Sequence, residues 1–448
     1  MRLFGTDGIR GKVNSHPMTP ETILKVGLAA ARVLKNEHGR NMVLIGKDTR
    51  QSGYMIESAL TSGICSMGMD VTLLGPVPTP GVAYLTRVLR ADAGFVISAS
   101  HNPFDDNGIK IFSHEGLKLP DEMERRIEEM VAGQGVFRRR PAGQEIGKAH
   151  RLDDALGRYI EFVKSTVPGS MMLEGMKVVV DCANGAAYKV TPMLLEELGA
   201  EVMTVHDNPD GTNINRECGS LHVDKLAGLV KDFKADVGIA HDGDADRTLF
   251  CDELGRLVDG DHVMGMLAVR MQEAGTLKGN AVVSTVMSNI GLERFLAARG
   301  LKLIRTRVGD RFVTARMVKD GYNLGGEQSG HIIMFDHNTT GDGPITALQV
   351  LALMAASGRK LSELADEIEI FPQILENVAV ENKTGWNADP DIQGAIMDVE
   401  DVLGKSGRVL VRASGTEPLI RVMIEGEDDA QIKKLALGIA KVIKRKMG

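Results

Sequence analysis

The chain has little cysteine, no long apolar run and no excess of positive charge, and each shortage narrows what it can do. Only four of its 448 residues are cysteines (Cys65, Cys182, Cys218 and Cys251), and none falls in CxxC or CxxH spacing. That pattern fits reduced thiols in a cytoplasmic protein. No apolar stretch reaches the length of a membrane span. The opening "MRLFGTDGIRG" lacks the apolar segment of a secretory signal. We therefore expect a cytoplasmic chain with no membrane partner. The formal net charge of -7 argues against a nucleic-acid binder, which would show a basic face. A small anionic ligand is not excluded, because it needs only a local cluster of Arg, Lys and backbone N–H donors. The glycine bracket of a GxSxG nucleophile elbow and the GxxxxGK[ST] phosphate loop are also missing.

What is present recurs. "NMVLIGKDTR" (41–50), "MKVVVDCANGAA" (176–187) and "NAVVSTVMSN" (280–289) each look like a buried strand running into a polar loop. A helix-like stretch follows each, then a second strand: "MDVTLLG", "AEVMTVH" and "LKLIRTRVG". Each unit next reaches a further strand ending in an unusual loop: "SASHNP", "HDGDADR" and "GGEQSGH". Strands alternating with helices predict mixed α/β layers, and three such units predict three related domains. "AGQGVFRRRPAGQEIGKAH" (132–150) reads as a linker, with Arg138–Arg140 as a solvated run. After about Glu367 the texture becomes that of an antiparallel sheet closed by a basic-ended helix, a smaller α+β domain.

The loops carry the chemistry. In "HDGDADR", Asp242, Asp244 and Asp246 alternate at a strand's C-terminal end, so their carboxylates converge. Three close carboxylates repel unless a cation lies between them, and oxygen-only donors favour Mg²⁺, Mn²⁺ or Ca²⁺. The EF-hand alternative places Asp242, Asp244, Asp246 and Glu253 at loop positions one, three, five and twelve. It fails because Arg247 stands where glycine is needed and strands flank the loop. In "SASHNPFDDNGIK", Ser100 ends a buried strand and is placed to react. In extended chain His101 would point away from it, so a Ser–His hydrolase is not supported. Lys110 is an acid–base or charge partner if desolvated; alone it would be an ordinary surface lysine. "GGEQSGH" sets Glu327, Gln328 and Ser329 between glycines, suited to sugar hydroxyls or an amine, with His331 beside them. "RASGTEPLIR" offers Arg412, Ser414, Gly415, Thr416 and Arg421 as an anion nest, the best phosphate-site candidate in the chain. "FGTDGIRG" and "GKDTRQSG" add Arg10, Lys47 and Arg50 on glycine-bounded turns.

Taken in chain order, "FGTDGIRG", "SASHNPFDDNGIK", "DGDADR", "GEQSGH" and "RASGTEPLIR" together resemble the loops of the α-D-phosphohexomutases, and within them the glucosamine-type members. The resemblance runs from "FGTDGIRG" to "RASGTEPLIR". It implies three related α/β domains and a C-terminal α+β domain around a central cleft, placed here at 1–152, 153–254, 255–368 and 369–448. It implies that Ser100 is a phosphoserine and that Ser100, Asp242, Asp244 and Asp246 hold one Mg²⁺. Arg247, Glu327 and Ser329 would read the sugar. Arg412, Ser414, Gly415, Thr416 and Arg421 would grip the substrate's other phosphate. Lys110, His331 and Arg10 would serve the proton transfers and developing charge. The implied reaction interconverts glucosamine 6-phosphate and glucosamine 1-phosphate, with glucosamine 1,6-bisphosphate as intermediate and primer, and feeds UDP-N-acetylglucosamine and cell-wall precursor synthesis. The implied partner is a phosphosugar, and the family's habit of pairing suggests a homodimer.

Overall fold

The computed structural model describes residues 3–5, 7–35, 39–133, 140–414 and 417–448. Four sheets organise these residues. The three predicted repeats share one strand order. In the first, strand Met42–Lys47 runs parallel to both Asp70–Pro76 and Ala93–Ile97, and Ala93–Ile97 turns back antiparallel into Asp106–Ser113. In the second, Lys177–Asp181 lies between parallel Glu201–Val205 and Val237–His241, and Val237–His241 turns back into Thr248–Asp252. In the third, Ala281–Thr285 lies between Lys302–Thr306 and Leu324–Gly326, and Leu324–Gly326 turns back into Ile332–Met334. The three chemistry-bearing loops are therefore the same structural feature: the tip joining the third strand of each unit to its antiparallel return.

The strands leading into the tips are unbroken apolar or small runs because both their faces are covered. Ala93–Ile97 and Val237–His241 are buried at every position, as sequences flanked by helices on both sides require. Helix Gly343–Ser357, "GPITALQVLALMAAS", is apolar nearly all round and buried over most of its length. Such a helix belongs inside a protein. It lies in the core that the second and third units share, and Tyr159 donates to its N-capping Asp342 at 2.7 Å.

The first sheet extends beyond the repeat. Phe4–Gly5 and Gly8–Lys12 add to one edge, and Ala149–Arg151 adds parallel to Asp70–Pro76 at the other. The end of the predicted linker is thus an edge strand, because Lys148 and its neighbours satisfy the open backbone of Asp70–Pro76. Arg138 and Arg139 of the basic run lie outside the described residues.

The C-terminal sheet is antiparallel, ordered Gln373–Ala379, Leu419–Gly426, Gly407–Ala413, and is backed by helix Asp429–Met447. It has its own core. It meets the third unit through a polar seam at one end of its hairpin: Glu425 accepts from the Ile290 N–H and pairs with Arg408, whose guanidinium also donates to the Ser288 carbonyl.

Candidate active site

Ser100 is buried and sits in the left-handed region, at φ 51°. Its N–H donates to Ser98 Oγ at 2.9 Å, and its hydroxyl donates to Asp242 Oδ2 at 2.5 Å. The first and second tips thus meet face to face. Gly243 permits the approach: a Cβ there would stand 2.6 Å from the Ser100 carbonyl oxygen. A non-glycine residue held at positive φ costs energy that the surroundings must supply. Here Arg50 supplies it. Its fully buried guanidinium pairs with Asp48 at 2.8 Å and donates to the carbonyls of Ser100, Asn102, Pro103 and Asp106. Arg50 therefore shapes the serine loop from behind and has no free face for an anion. Lys47 is likewise consumed, paired at 2.5 Å with Glu57 under the Tyr54 ring.

The turn at Ser100 also changes the reading of His101. The chain is not extended there, so the imidazole swings back and places Nδ1 3.3 Å from Ser100 Oγ and 3.3 Å from an Arg247 nitrogen. Burial, then Arg247 and Arg10, push its pKa down to about 4. His101 is a neutral imidazole beside the serine.

Asp242, Asp244 and Asp246 are all buried and offer carboxylate oxygens within 4.8 Å of one another. Their loop is clamped from two other units. Thr79, opening a first-unit helix, donates its N–H to the Asp244 carbonyl at 2.9 Å and its hydroxyl to Asp244 Oδ2 at 2.7 Å. From the third unit, the Gly343 N–H donates to the Ala245 carbonyl at 3.0 Å. Among the described residues, Asp244 Oδ1 and Asp246 Oδ1 are buried without a hydrogen bond. Buried carboxylate oxygens without hydrogen bonds are costly, and this oxygen-only cluster is one that a hard divalent cation fits.

Lys110 takes the other oxygens, standing 2.9 Å from Asp244 Oδ2, 3.0 Å from Asp246 Oδ2 and 3.5 Å from Asp7. Burial alone would lower its pKa, but the three carboxylates more than reverse that and hold the ammonium well above its ordinary value. Asp242 is pushed well up by burial and by its two sister carboxylates. Burial would raise Asp246 too, but Lys110, His331 and Arg247 hold it well down. His331 is buried, 3.6 Å from Asp246 and 3.7 Å from Asp310; burial opposes its charge, and Asp246, Asp310 and Glu327 win, raising its pKa.

A cavity of about 760 Å³ opens in front of these groups, lined by Arg10, His101, Asp246, Arg247, Glu327 and His331 among others. Ser329 is exposed, and Gln328 is turned away to donate to Asp259. Arg412 and Arg421 lie on the C-terminal sheet and Ser414 follows its strand Gly407–Ala413; none of the three lines the cavity. Arg412 and Arg421 are cross-strand partners, and burial followed by Arg421 lowers the Arg412 pKa. Gly415 and Thr416 lie outside the described residues. A charge chain escaped the sequence reading: Asp7 pairs with Arg10, Lys110 and Lys118, and Lys118 reaches Asp310 at 2.6 Å. Asp7 lies in the quoted "FGTDGIRG", which was its only signal; Lys118 and Asp310 stand in no recognisable motif.

Comparison with known proteins agrees with this architecture. The models of the four phosphoglucomutase/phosphomannomutase domains match in chain order: alpha/beta/alpha domains I, II and III over residues 1–135, 157–255 and 259–371, and the C-terminal domain over 375–442. A phosphoglucosamine mutase of Geobacter metallireducens is 55% identical over 447 residues, covering 100% of this chain and 99% of the relative. One from Magnetococcus marinus is 55% identical over 444 residues, covering 99% and 92%. Among solved structures, a phosphoglucomutase/phosphomannomutase family protein from Burkholderia thailandensis superposes with a TM-score of 0.84 at 24% identity, covering 99% of this chain and 97% of that one. An N-acetylphosphoglucosamine mutase of Aspergillus fumigatus, in complex with GlcNAc-6P and magnesium, superposes at 0.67 with 18% identity, covering 100% and 96%.

Proposed function

The chain belongs to the phosphoglucomutase/phosphomannomutase family, and from that premise we propose that it interconverts glucosamine 6-phosphate and glucosamine 1-phosphate through a phosphoserine at Ser100. The observation that carries this is the contact of the Ser100 hydroxyl with Asp242 inside a buried three-aspartate cluster. Phosphoryl transfer asks a protein mainly for positioning and charge stabilisation, and this tip-to-tip meeting supplies both. Asp242, Asp244 and Asp246, with the phosphoserine oxygens, would hold one Mg²⁺, which when bound neutralises phosphoryl charge without blocking in-line attack.

Phosphoserine 100 donates its phosphoryl group to the substrate's free O1. The resulting glucosamine 1,6-bisphosphate, which also serves as primer, turns over in the cleft. Its 6-phosphoryl group then returns to Ser100. Lys110 is the acid–base candidate nearest the carboxylates, with His331 in reserve, although the carboxylates hold Lys110 protonated, so it must lose one of those pairings before it can accept a proton. The neutral His101, beside Ser100 Oγ, joins them as a proton acceptor, and Arg10 and Arg247 carry charge stabilisation. Glu327 and Ser329, together with Arg247, are assigned to the sugar.

The two phosphates need two subsites, because the intermediate must present each end in turn. The second is assigned to Arg412, Ser414, Gly415, Thr416 and Arg421. Arg421 already pairs with Glu417 at 2.7 Å, whereas burial and Arg421 lower the Arg412 pKa, so an anion there would stabilise the charge of Arg412. Their loop lies at the far end of the hairpin from the polar seam, because Gly407 pairs with Gly426 at the seam and Ala413 with Ile420 at the loop. Six residue steps of strand make a lever of roughly 20 Å. A small rotation at the seam would carry the arginines into the cleft and close it.

Arg412→Ala is expected to raise KM for the phosphosugar by roughly ten- to a hundredfold, with Ser100 still accepting phosphate from the bisphosphate when followed by intact mass. An unchanged KM would remove Arg412 from the phosphate subsite. Chelation with EDTA should lower turnover by at least about a hundredfold, and added Mg²⁺ should restore it. Metal-independent turnover would contradict the role given to the aspartates. The four free cysteines fit the proposed cytoplasmic setting. No helix among the described residues is long and apolar enough to cross a membrane. The chain is proposed to divide into domains at 1–152, 153–254, 255–368 and 369–448 and to act as a homodimer.

A further inference from the structure

A second cluster of ligand-type side chains lies in the second unit, behind the serine loop. Asp181 ends the strand Lys177–Asp181, His206 follows the strand Glu201–Val205, and Cys218 ends the long loop that comes next. Their ligand atoms all lie within 4.8 Å of one another. His206 Nδ1 is 3.1 Å from Asp181 Oδ1. Asp181 and Cys218 are almost fully buried, whereas the His206 side chain is 39% exposed and opens the cluster to solvent.

Two observations set this apart from a chance meeting of polar groups. The Cys218 thiol is buried beside a carboxylate yet makes no side-chain hydrogen bond among the described residues. Asp181, by contrast, is braced from behind: it accepts from the Ala183 N–H at 2.9 Å and the Gly219 N–H at 2.8 Å. Metal-binding carboxylates are held in this way by donors outside the coordination sphere. The donor set differs in kind from the three aspartates. One sulfur, one imidazole nitrogen and one oxygen suit a borderline cation, Zn²⁺ first, and not Mg²⁺.

We infer that Asp181, His206 and Cys218 form a site for a borderline divalent cation such as Zn²⁺, separate from the three-aspartate cluster. Coordination at bond lengths of about 2.0–2.3 Å asks ligand atoms to stand roughly 3.5 Å apart; the His206–Asp181 pair is already that close at 3.1 Å, so any closing falls on Cys218, whose sulfur lies within 4.8 Å of both. Cys218 enters as thiolate and releases its proton to solvent; His206 contributes a neutral nitrogen lone pair. With Asp181 ionised the site is electrically neutral, which suits its burial. Water reaching past His206 completes a fourth position.

The site has a structural consequence. The loop from His206 to Cys218 carries Asn215, whose amide donates to the carbonyls of Ser100 at 2.8 Å and Asn102 at 3.0 Å. A cation tying both ends of that loop to Asp181 would stiffen the support of the serine tip.

Co²⁺ is the probe, because thiolate ligation gives it a near-ultraviolet charge-transfer band that carboxylates cannot give. The full chain is titrated with Co²⁺ in millimolar Mg²⁺, which keeps the three-aspartate cluster occupied. We expect the band to saturate at one Co²⁺ per chain and Zn²⁺ to displace it. Cys218→Ser should abolish the band and weaken binding by at least about tenfold, whereas Cys182→Ser, altering the neighbouring thiol that bonds to the Ala187 carbonyl, should keep it. His206→Ala, at a half-exposed position, gives the same test should the buried substitution not fold. Absence of the band in the unaltered chain, or its survival in either Cys218→Ser or His206→Ala, overturns the site.

Discussion

Ser100→Ala is expected to fold normally and to lose turnover by more than about a thousandfold, the scale on which removal of a covalent carrier acts. The fold should survive because the hydroxyl makes few of the contacts that hold its loop. The Ser100 N–H remains on Ser98, and the Ser100 carbonyl remains with Arg50 and Asn215. What disappears is the oxygen 2.5 Å from Asp242. Thermal melting should change little while kcat collapses, and intact mass should show no phosphoenzyme after incubation with the bisphosphate. Near-normal kcat in this variant would take Ser100 out of the reaction.

Arg50→Ala should do the converse and damage the fold first. The guanidinium is fully buried and is the common donor to four backbone carbonyls of the serine loop. Its removal leaves Asp48 buried without its cation and those carbonyls without their shared donor. Breaking a buried pair in this way costs about 3–5 kcal/mol. Burial already raises the Asp48 pKa against the pull of Arg50, so Asp48 would take up a proton more readily in the variant. We expect a clear fall in Tm, with kcat reduced because the φ 51° turn at Ser100 loses its brace. Arg50→Lys should recover only part of either, since one ammonium cannot reach what a planar fork reaches. A melting temperature within a degree or two of the unaltered chain would contradict this role.

The strands and their threefold recurrence along the chain were the most legible part of the molecule. Buried runs such as "AGFVI" and "VGIAH" announce themselves by composition, and the polar tips after them stand out because nothing apolar follows at once. The three aspartates were legible for a related reason, since alternation along an extended loop is local geometry. Partners far apart in the chain were not. Lys118 and Asp310 are separated by nearly two hundred residues, and only the folded cleft brings them together. Arg50 was visible as a cation on a glycine-bounded turn, a description that fits an anion site and a loop staple equally well; burial decides between them. His101 was misjudged because its placement depends on a single backbone angle at Ser100, which no side-chain pattern reports. The cluster of Asp181, His206 and Cys218 has no spacing signature either, as its members come from three segments that meet at the strand ends of one sheet.

The central claim is isomerisation of an amino-sugar phosphate with the phosphoryl group kept from water. The measurement closest to it is kcat/KM for glucosamine 6-phosphate beside glucose 6-phosphate and mannose 6-phosphate, with Mg²⁺ and a trace of the matching bisphosphate, following both sugar 1-phosphate and free phosphate. The account predicts a strong preference for glucosamine 6-phosphate and sugar 1-phosphate as the product. A preference for glucose or mannose phosphate would contradict the assignment of the Glu327 loop to the amino sugar, and release of free phosphate in place of isomerised sugar would contradict the mutase reading itself.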